Sequence, residues 1–138
     1  MENSGRARWL GRAVVVGMLY LALGQASIAL AGAAASVSAR NAWRFSAFAA
    51  SAVLFAAHIA DEHFRARNAA RQTAWHASLA VALGGFGLAL AANLRELASA
   101  AGYRPRMLVA LVAWPLLTAL PAFLVALAVA AALGVKRR

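Results

Sequence analysis

Long uncharged runs of apolar residues alternate with short polar connections along this chain. The first run, Ala13 to Ala39, contains no charged residue. Because a hydrocarbon core about 30 Å thick requires roughly 20 apolar helical residues, this run is long enough for one membrane span. The whole pattern predicts four spans, at about 12–36, 43–62, 72–95 and 106–135.

The connections near 36–44, 61–71 and 95–106 are short, which favours consecutive helices that run antiparallel as neighbours. The Ala- and Leu-rich runs do not alternate as strands do. The predicted fold is therefore all-α: a polytopic membrane protein with an antiparallel four-helix transmembrane bundle as one domain over residues 1–138.

The N-terminal segment also allows an alternative interpretation. Arg6, Arg8 and Arg12, the apolar run and its small-residue end AAASVSA resemble a cleavable signal peptide, whose removal would leave three spans. The apolar run is longer than the roughly 7 to 15 residues of a signal core, which favours a retained span.

Composition supports the membrane class and narrows the partners. Of 138 residues, 64% are hydrophobic, and 14 Lys and Arg against 4 Asp and Glu give a net charge of +10. The basic residues cluster at the ends of the apolar runs, where they anchor helices among anionic lipid headgroups. We therefore expect the lipid bilayer as partner and no nucleic acid. The absence of cysteine excludes disulfides, thiolate metal sites and Cys nucleophiles.

Basic residues are distributed unequally between the two sides of the predicted bundle. One side has nine: Arg6, Arg8, Arg12, Arg65, Arg67, Arg71, Lys136, Arg137 and Arg138. The other has five: Arg40, Arg44, Arg95, Arg104 and Arg106. The positive-inside rule then predicts a multi-pass protein of a cytoplasmic (inner) membrane with both termini in the cytoplasm. Trp9 and Trp75 open spans 1 and 3 on that side, as in an aromatic belt.

Small residues mark the faces on which the spans are expected to pack. Helices in lipid associate through close contact of small residues, since lipid is as apolar as Leu. Gly17 and Gly24 form such a face on span 1, and Gly84 and Gly87 form one on span 3. His76 lies at the head of the span 3 face, so it is expected to face another helix.

Span 4 contains two prolines, Pro115 and Pro121, and a kink is predicted there. Each proline frees a carbonyl one turn earlier, at Leu111 and Leu117. The hydroxyl of Thr118 is expected to donate to one of these freed carbonyls.

The titratable residues concentrate in HIADEH, residues 58–63, at the end of span 2. Since spans 2 and 3 are joined by a short connection, the start of span 3 lies at the same membrane face. The predicted cluster contains all three histidines of the chain: His58, Asp61, Glu62, His63 and His76.

Span 2 also has a polar stripe at spacings of seven, Arg44, Ser51, His58 and Arg65. Ionisable residues at membrane depth normally turn toward the bundle interior. This face is therefore predicted to point inward.

Three functional interpretations of the cluster remain open. His58, Glu62 and His76 are the first candidate ligands for Zn²⁺ or Fe²⁺, although the spacing is not HExxH. His58 and His76 are alternatively the axial ligands of a b-type haem between two helices. In the third interpretation, the cluster acts as a proton-responsive gate, because imidazole changes charge near neutral pH.

A structural interpretation is favoured over these three. In it, Asp61 and Glu62 pair with Arg65, His63 is solvated, and the other two histidines bridge neighbouring helices. Surface ion pairs of this kind contribute only about 0 to 1 kcal/mol and imply no chemistry.

The favoured function is that of a small bundle without catalytic activity or cofactor, which packs with itself as a homo-oligomer or with a larger membrane partner. The first alternative is a metal- or haem-binding redox protein or enzyme that uses the HIADEH cluster with His76. The second is a small transporter or channel subunit.

Overall fold

A computed structural model describes residues 2–99 and 106–135 of the chain, with side chains for 8–99 and 107–134. The described residues are helical apart from short connections, and four helices are long and apolar enough to cross a membrane. The all-α prediction is confirmed to this extent. The elements are α1 (Glu2–Ala33), α2 (Val37–Ala60), a π-helical turn (Asp61–Arg65), α3 (Ala70–Leu97) and α4 (Arg106–Val135).

Helix α2 begins earlier than residue 43, where its apolar run suggested. Ser36 precedes the helix in an extended conformation, and its hydroxyl accepts a hydrogen bond from the backbone N–H of Ala39 at 3.1 Å. A side-chain cap of this kind satisfies one of the free N–H groups at a helix start. The helix therefore begins about two turns before the apolar run, and these two turns contain Arg40 and Arg44.

Helix α3 is the central helix of the fold. It packs along α4 on one side and along α1 on the other, while α2 packs mainly against α1 and only slightly against α3. The expectation that consecutive helices are close neighbours is thus wrong for α2 and α3 along most of their length. Instead, α1 lies between α2 and α3 and runs parallel to α3. The face of α3 that carries Gly84 and Gly87 packs against α1.

The contact between α1 and α3 is a close approach of two small-residue faces. A methyl group at Gly17 would lie 2.8 Å from the Cβ atom of Leu83, and one at Gly84 would lie 2.5 Å from the Cβ atom of Tyr20. Both positions therefore exclude a larger side chain. The other two predicted packing glycines lie in the same contact, Gly24 against Leu88 and Gly87 against Leu21.

Helix α4 packs antiparallel on the opposite face of α3. Gly85 allows α4 to approach closely. A methyl group at this position would lie only 2.8 Å from the hydroxyl oxygen of Thr118. Pro115 and Pro121 both lie inside the continuous helix. The kink at these prolines stays a prediction.

The hydroxyl of Thr118 does not bond the freed carbonyls. It donates to the carbonyl oxygens of Trp114 at 3.0 Å and Pro115 at 3.1 Å. The expectation that it serves Leu111 or Leu117 is wrong, because a helical Thr hydroxyl reaches carbonyls three and four residues before it.

Polar contacts join α3 to its neighbours at the end away from the chain termini. Asn93 donates to the carbonyl oxygen of Met107 on α4 at 2.9 Å. Arg95 donates to the side-chain oxygen of Gln25 on α1. The helices are thus held by side-chain hydrogen bonds at this end and by the HIADEH region at the other.

Candidate functional site

The π-helical turn Asp61–Arg65 ends α2 and sets the direction of the candidate residues. The backbone N–H of Ala66 donates to the carbonyl of Asp61 at 3.1 Å, and that of Asn68 donates to the carbonyl of Glu62 at 3.1 Å. These bonds span five and six residues, which makes the turn wider than an α-helical one. The wide turn rotates Glu62 into the bundle and brings Asn68 back toward it.

Glu62 is the centre of a buried polar cluster. Its side chain is among the most buried of the described residues, with 1% of the residue exposed. His76 donates from Nδ1 to the Oε2 atom of Glu62 at 2.5 Å, and Asn68 donates from Nδ2 to the same oxygen at 2.5 Å. These two contacts to one carboxylate oxygen join the end of α2 to the start of α3.

Helix α1 completes this cluster with two residues. The indole of Trp9 stacks on the imidazole of His76, with ring centroids 4.6 Å apart and planes 3° from parallel. The guanidinium of Arg12 lies 3.1 Å from Asp61 Oδ2 and 3.9 Å from Glu62 Oε1. We call Trp9, Arg12, Glu62, Asn68 and His76 the Glu62 cluster.

Sequence reasoning missed three members of the Glu62 cluster. In the sequence, Trp9 fits an aromatic belt and Arg12 a headgroup anchor, and no pattern singles out Asn68. The two α1 residues enter because α1 packs parallel to α3, which the expectation of consecutive neighbours did not include. Their shared membrane side was the only signal that pointed to this contact.

Asp61 faces outward from the cluster and bridges two arginines. It lies 3.1 Å from Arg12 and 3.5 Å from Arg65, so the predicted Asp61 to Arg65 pair is present. The described structure has no such pair between Glu62 and Arg65, because Glu62 is turned inward. The Arg65 side chain is 82% exposed. Of the predicted inward stripe on α2, His58 is buried, whereas Arg44 and Arg65 at its two ends are exposed.

Two histidines occupy buried positions next to the cluster. His63 was predicted to be solvated, but it is only 7% exposed, and neither of its ring nitrogens has a partner among the described residues. Its ring meets that of Phe64 edge to face at 5.1 Å. His58 is buried within electrostatic range of Glu62, Asp61 and His76. The predicted residues therefore gather in one region, but only Glu62 and His76 bond each other directly.

The described geometry does not favour a metal or haem site. No group of three His, Asp or Glu side chains in residues 2–99 and 106–135 is arranged to hold a metal ion. Glu62 and the Nδ1 atom of His76 bind each other instead. His76 lines two cavities and His58 lines a different one.

Comparison of the chain with protein-family models, with curated proteins and with solved structures finds no match in any of the three. What the Glu62 cluster does chemically is to join α1, the end of α2 and the start of α3 through one shared carboxylate and the imidazole that it binds.

Proposed function

We propose that this chain is a small, non-catalytic integral membrane protein that packs with itself or with a larger membrane partner. It crosses a cytoplasmic (inner) membrane four times, with both termini in the cytoplasm. The observation that supports a structural role is the Glu62 cluster, in which Glu62 and His76 are bound to each other.

A catalytic base or a metal ligand needs a lone pair directed toward a substrate or ion. The carboxylate of Glu62 instead accepts two hydrogen bonds, from His76 and Asn68, and lies beside the guanidinium of Arg12. Only 1% of the residue is exposed. This arrangement supports a clamp between helices.

The outer faces of the bundle support association within the membrane. In the most apolar 18-residue stretch of α3, 39% of the residues are buried inside the bundle. In the corresponding stretch of each of the other three helices, the buried share is 11%. Large apolar side chains such as Val53 on α2 and Val112 on α4 lie exposed. Such faces are covered in a membrane by lipid or by other helices, and small neighbouring residues permit close contact between helices.

The orientation is supported by the positions of the basic residues. Arg8, Arg12, Arg65, Arg67 and Arg71 lie at the end of the bundle where α1 begins and α4 ends. A cytoplasmic excess of Lys and Arg is the usual pattern. Arg104, Lys136, Arg137 and Arg138, which also entered the prediction, lie outside the described residues.

The assembly state tests this proposal. The protein is extracted from membranes with its lipid in nanodiscs, and its mass is measured against the 14.3 kDa of one chain. We expect an assembly that contains a second copy or a larger partner. A mass that corresponds to one chain and lipid would contradict the proposal.

Disulfide cross-linking in native membranes locates the contact, since the chain has no cysteine of its own. Single variants Val53→Cys and Val112→Cys report on the outer faces of α2 and α4, and Ala77→Cys on the buried core is the matched control. We expect cross-linking of one outer variant to itself or to a partner and none of the control. Equal results at all three positions would count against a specific interface.

A further inference from the structure

A cavity of about 690 Å³ lies between α2 and the other three helices, in the half of the bundle away from the Glu62 cluster. It extends from Val81 to Ala92 along α3 and from Arg44 to Ser51 along α2. Its volume falls in the range of about 300 to 1,000 Å³ that is usual for small-molecule sites. The cavity is therefore large enough for a ligand.

The cavity exists because α2 packs mainly against α1 and has few close contacts with α3 and α4. These contacts lie near the Glu62 cluster. There Ile59 packs with Ala77 and Ala126, so α2, α3 and α4 meet. Toward the other end the wall includes the small side chains of Ala47, Ala89, Ala92 and Ala110, which do not fill the space.

The dimensions of the cavity match one leaflet of a bilayer. At a rise of about 1.5 Å per residue, the α3 wall from Val81 to Ala92 is about 16 Å long. This is half of a hydrocarbon core about 30 Å thick. Phe48, Ile28 and Trp114 line the cavity and are nevertheless exposed, so it is open to the surrounding lipid. An acyl chain can enter it sideways.

Two arginines stand at the polar end of the cavity. Arg44 lines it, and a smaller cavity of about 330 Å³, lined by Arg40 and Arg44, shares Ser27, Ile28 and Arg44 with it. The apolar cavity thus continues into a basic one. The two arginines are one helical turn apart at the start of α2.

Neither Arg40 nor Arg44 forms an ion pair within the part of the chain that the structure describes. Asp61 and Glu62 lie at the other end of the bundle, while Glu96 lies near the end of α3. Both arginines are exposed, so their guanidinium groups are open to an anionic group outside the chain. Guanidinium groups bind phosphate oxygens through two parallel hydrogen bonds, which suits a phospholipid headgroup.

We propose that this cavity binds one acyl chain of an anionic phospholipid whose phosphate is held by Arg40 and Arg44. The site is on the leaflet opposite the chain termini. It is independent of the proposed assembly, because the ligand occupies a space inside one chain.

A phospholipid suits this space better than a helix of a second copy. The guanidinium groups at its polar end are complementary to a phosphate, and a flexible acyl chain can follow an irregular wall.

Native mass spectrometry in detergent tests the proposal with two lipids of identical acyl chains, phosphatidylglycerol and phosphatidylcholine. We expect retention of one phosphatidylglycerol with a preference of about tenfold or more, because each basic residue near an anionic headgroup contributes several-fold in affinity. Equal retention of the two lipids would overturn the proposal. So would displacement of phosphatidylglycerol by an equimolar free fatty acid.

Variants locate the binding site. The double variant Arg40→Gln, Arg44→Gln is expected to lose the preference, while Arg67→Gln, Arg71→Gln at the opposite end is the matched control and keeps it. Ser51→Phe is expected to lower the retention of both lipids by filling the cavity. An unchanged preference in the first variant would overturn the headgroup assignment, and unchanged retention in Ser51→Phe would overturn the cavity assignment. Arg44→Lys keeps the charge and serves as a folded reference with partial retention.

Discussion

The Nδ1 atom of His76 lies 2.5 Å from the Oε2 atom of Glu62, although the two residues are fourteen positions apart on different helices. Both side chains are buried. A buried pair of this kind contributes little over an apolar pair of the same shape, but loss of one partner leaves the other unpaired in a medium of low dielectric. The pair is therefore most informative when one member is removed.

Glu62→Ala is expected to lower the free energy of unfolding by about 3 to 5 kcal/mol, because His76 and Asn68 lose their buried acceptor. Glu62→Gln should cost less, since its side-chain oxygen still accepts a hydrogen bond. Denaturant titration in lipid bicelles measures both. Arg65→Ala, at an exposed side chain, is the control and should change the value by less than about 0.5 kcal/mol. Equal effects of Glu62→Ala and Arg65→Ala would show that the Glu62 cluster does not hold the fold.

Gly84→Ala is expected to destabilise the α1 to α3 contact by about 1 to 3 kcal/mol through overpacking. The added methyl group would lie 2.5 Å from the Cβ atom of Tyr20. Gly32→Ala is the matched control, since no atom lies within 4 Å of a methyl group there. It should be neutral or stabilising, because Ala favours helix more than Gly. Thermal unfolding of the two variants under identical conditions decides between these outcomes, and a Gly84→Ala protein as stable as Gly32→Ala would refute the close contact.

The number of helices follows from the sequence because hydrocarbon thickness fixes the length of each apolar run. The neighbours of each helix do not follow from the same pattern. Gly84 and Gly85 are adjacent in sequence and face opposite sides, toward Tyr20 of α1 and Thr118 of α4. Because of this double glycine, α3 can pack closely against two helices. The pattern of apolar runs does not show whether a glycine pair serves contacts with one neighbouring helix or with two.

The location of the candidate site was predictable, but its internal geometry was not. The short connection between α2 and α3 brings HIADEH and His76 to one end of the bundle. The π-helical turn then decides which side chains point inward: it directs Glu62 into the bundle and leaves Arg65 outside. A one-residue change of helical period near a helix end has no clear sequence signal. For this reason His63 was wrongly expected to be solvated.

Single cysteines at the two ends of the bundle test the orientation. Ala66 follows the π-helical turn, Ala35 lies between α1 and α2, and both are exposed. With cytoplasmic termini, a membrane-impermeant thiol reagent added to intact cells should label Ala35→Cys and leave Ala66→Cys unlabelled until the membrane is opened. The unmodified chain, which has no cysteine, gives the background. The reverse labelling pattern would invert the topology.

Metal analysis and visible absorption of the purified protein test the cofactor alternatives. We expect less than stoichiometric metal and no Soret band, because Glu62 and the Nδ1 atom of His76 bind each other. The double variant His58→Ala, His76→Ala is measured in parallel. A stoichiometric metal or a haem band that disappears in this variant would instead support a redox or hydrolytic function.

A double-mutant cycle with Glu62→Ala, His76→Ala and the combined variant tests the structural role of the Glu62 cluster most directly. The two residues contact each other, so their effects on the free energy of unfolding should not add. We predict a coupling free energy of about 1 to 3 kcal/mol. Additive effects, with a coupling below about 0.5 kcal/mol, would contradict the account in which this buried pair clamps the helices together.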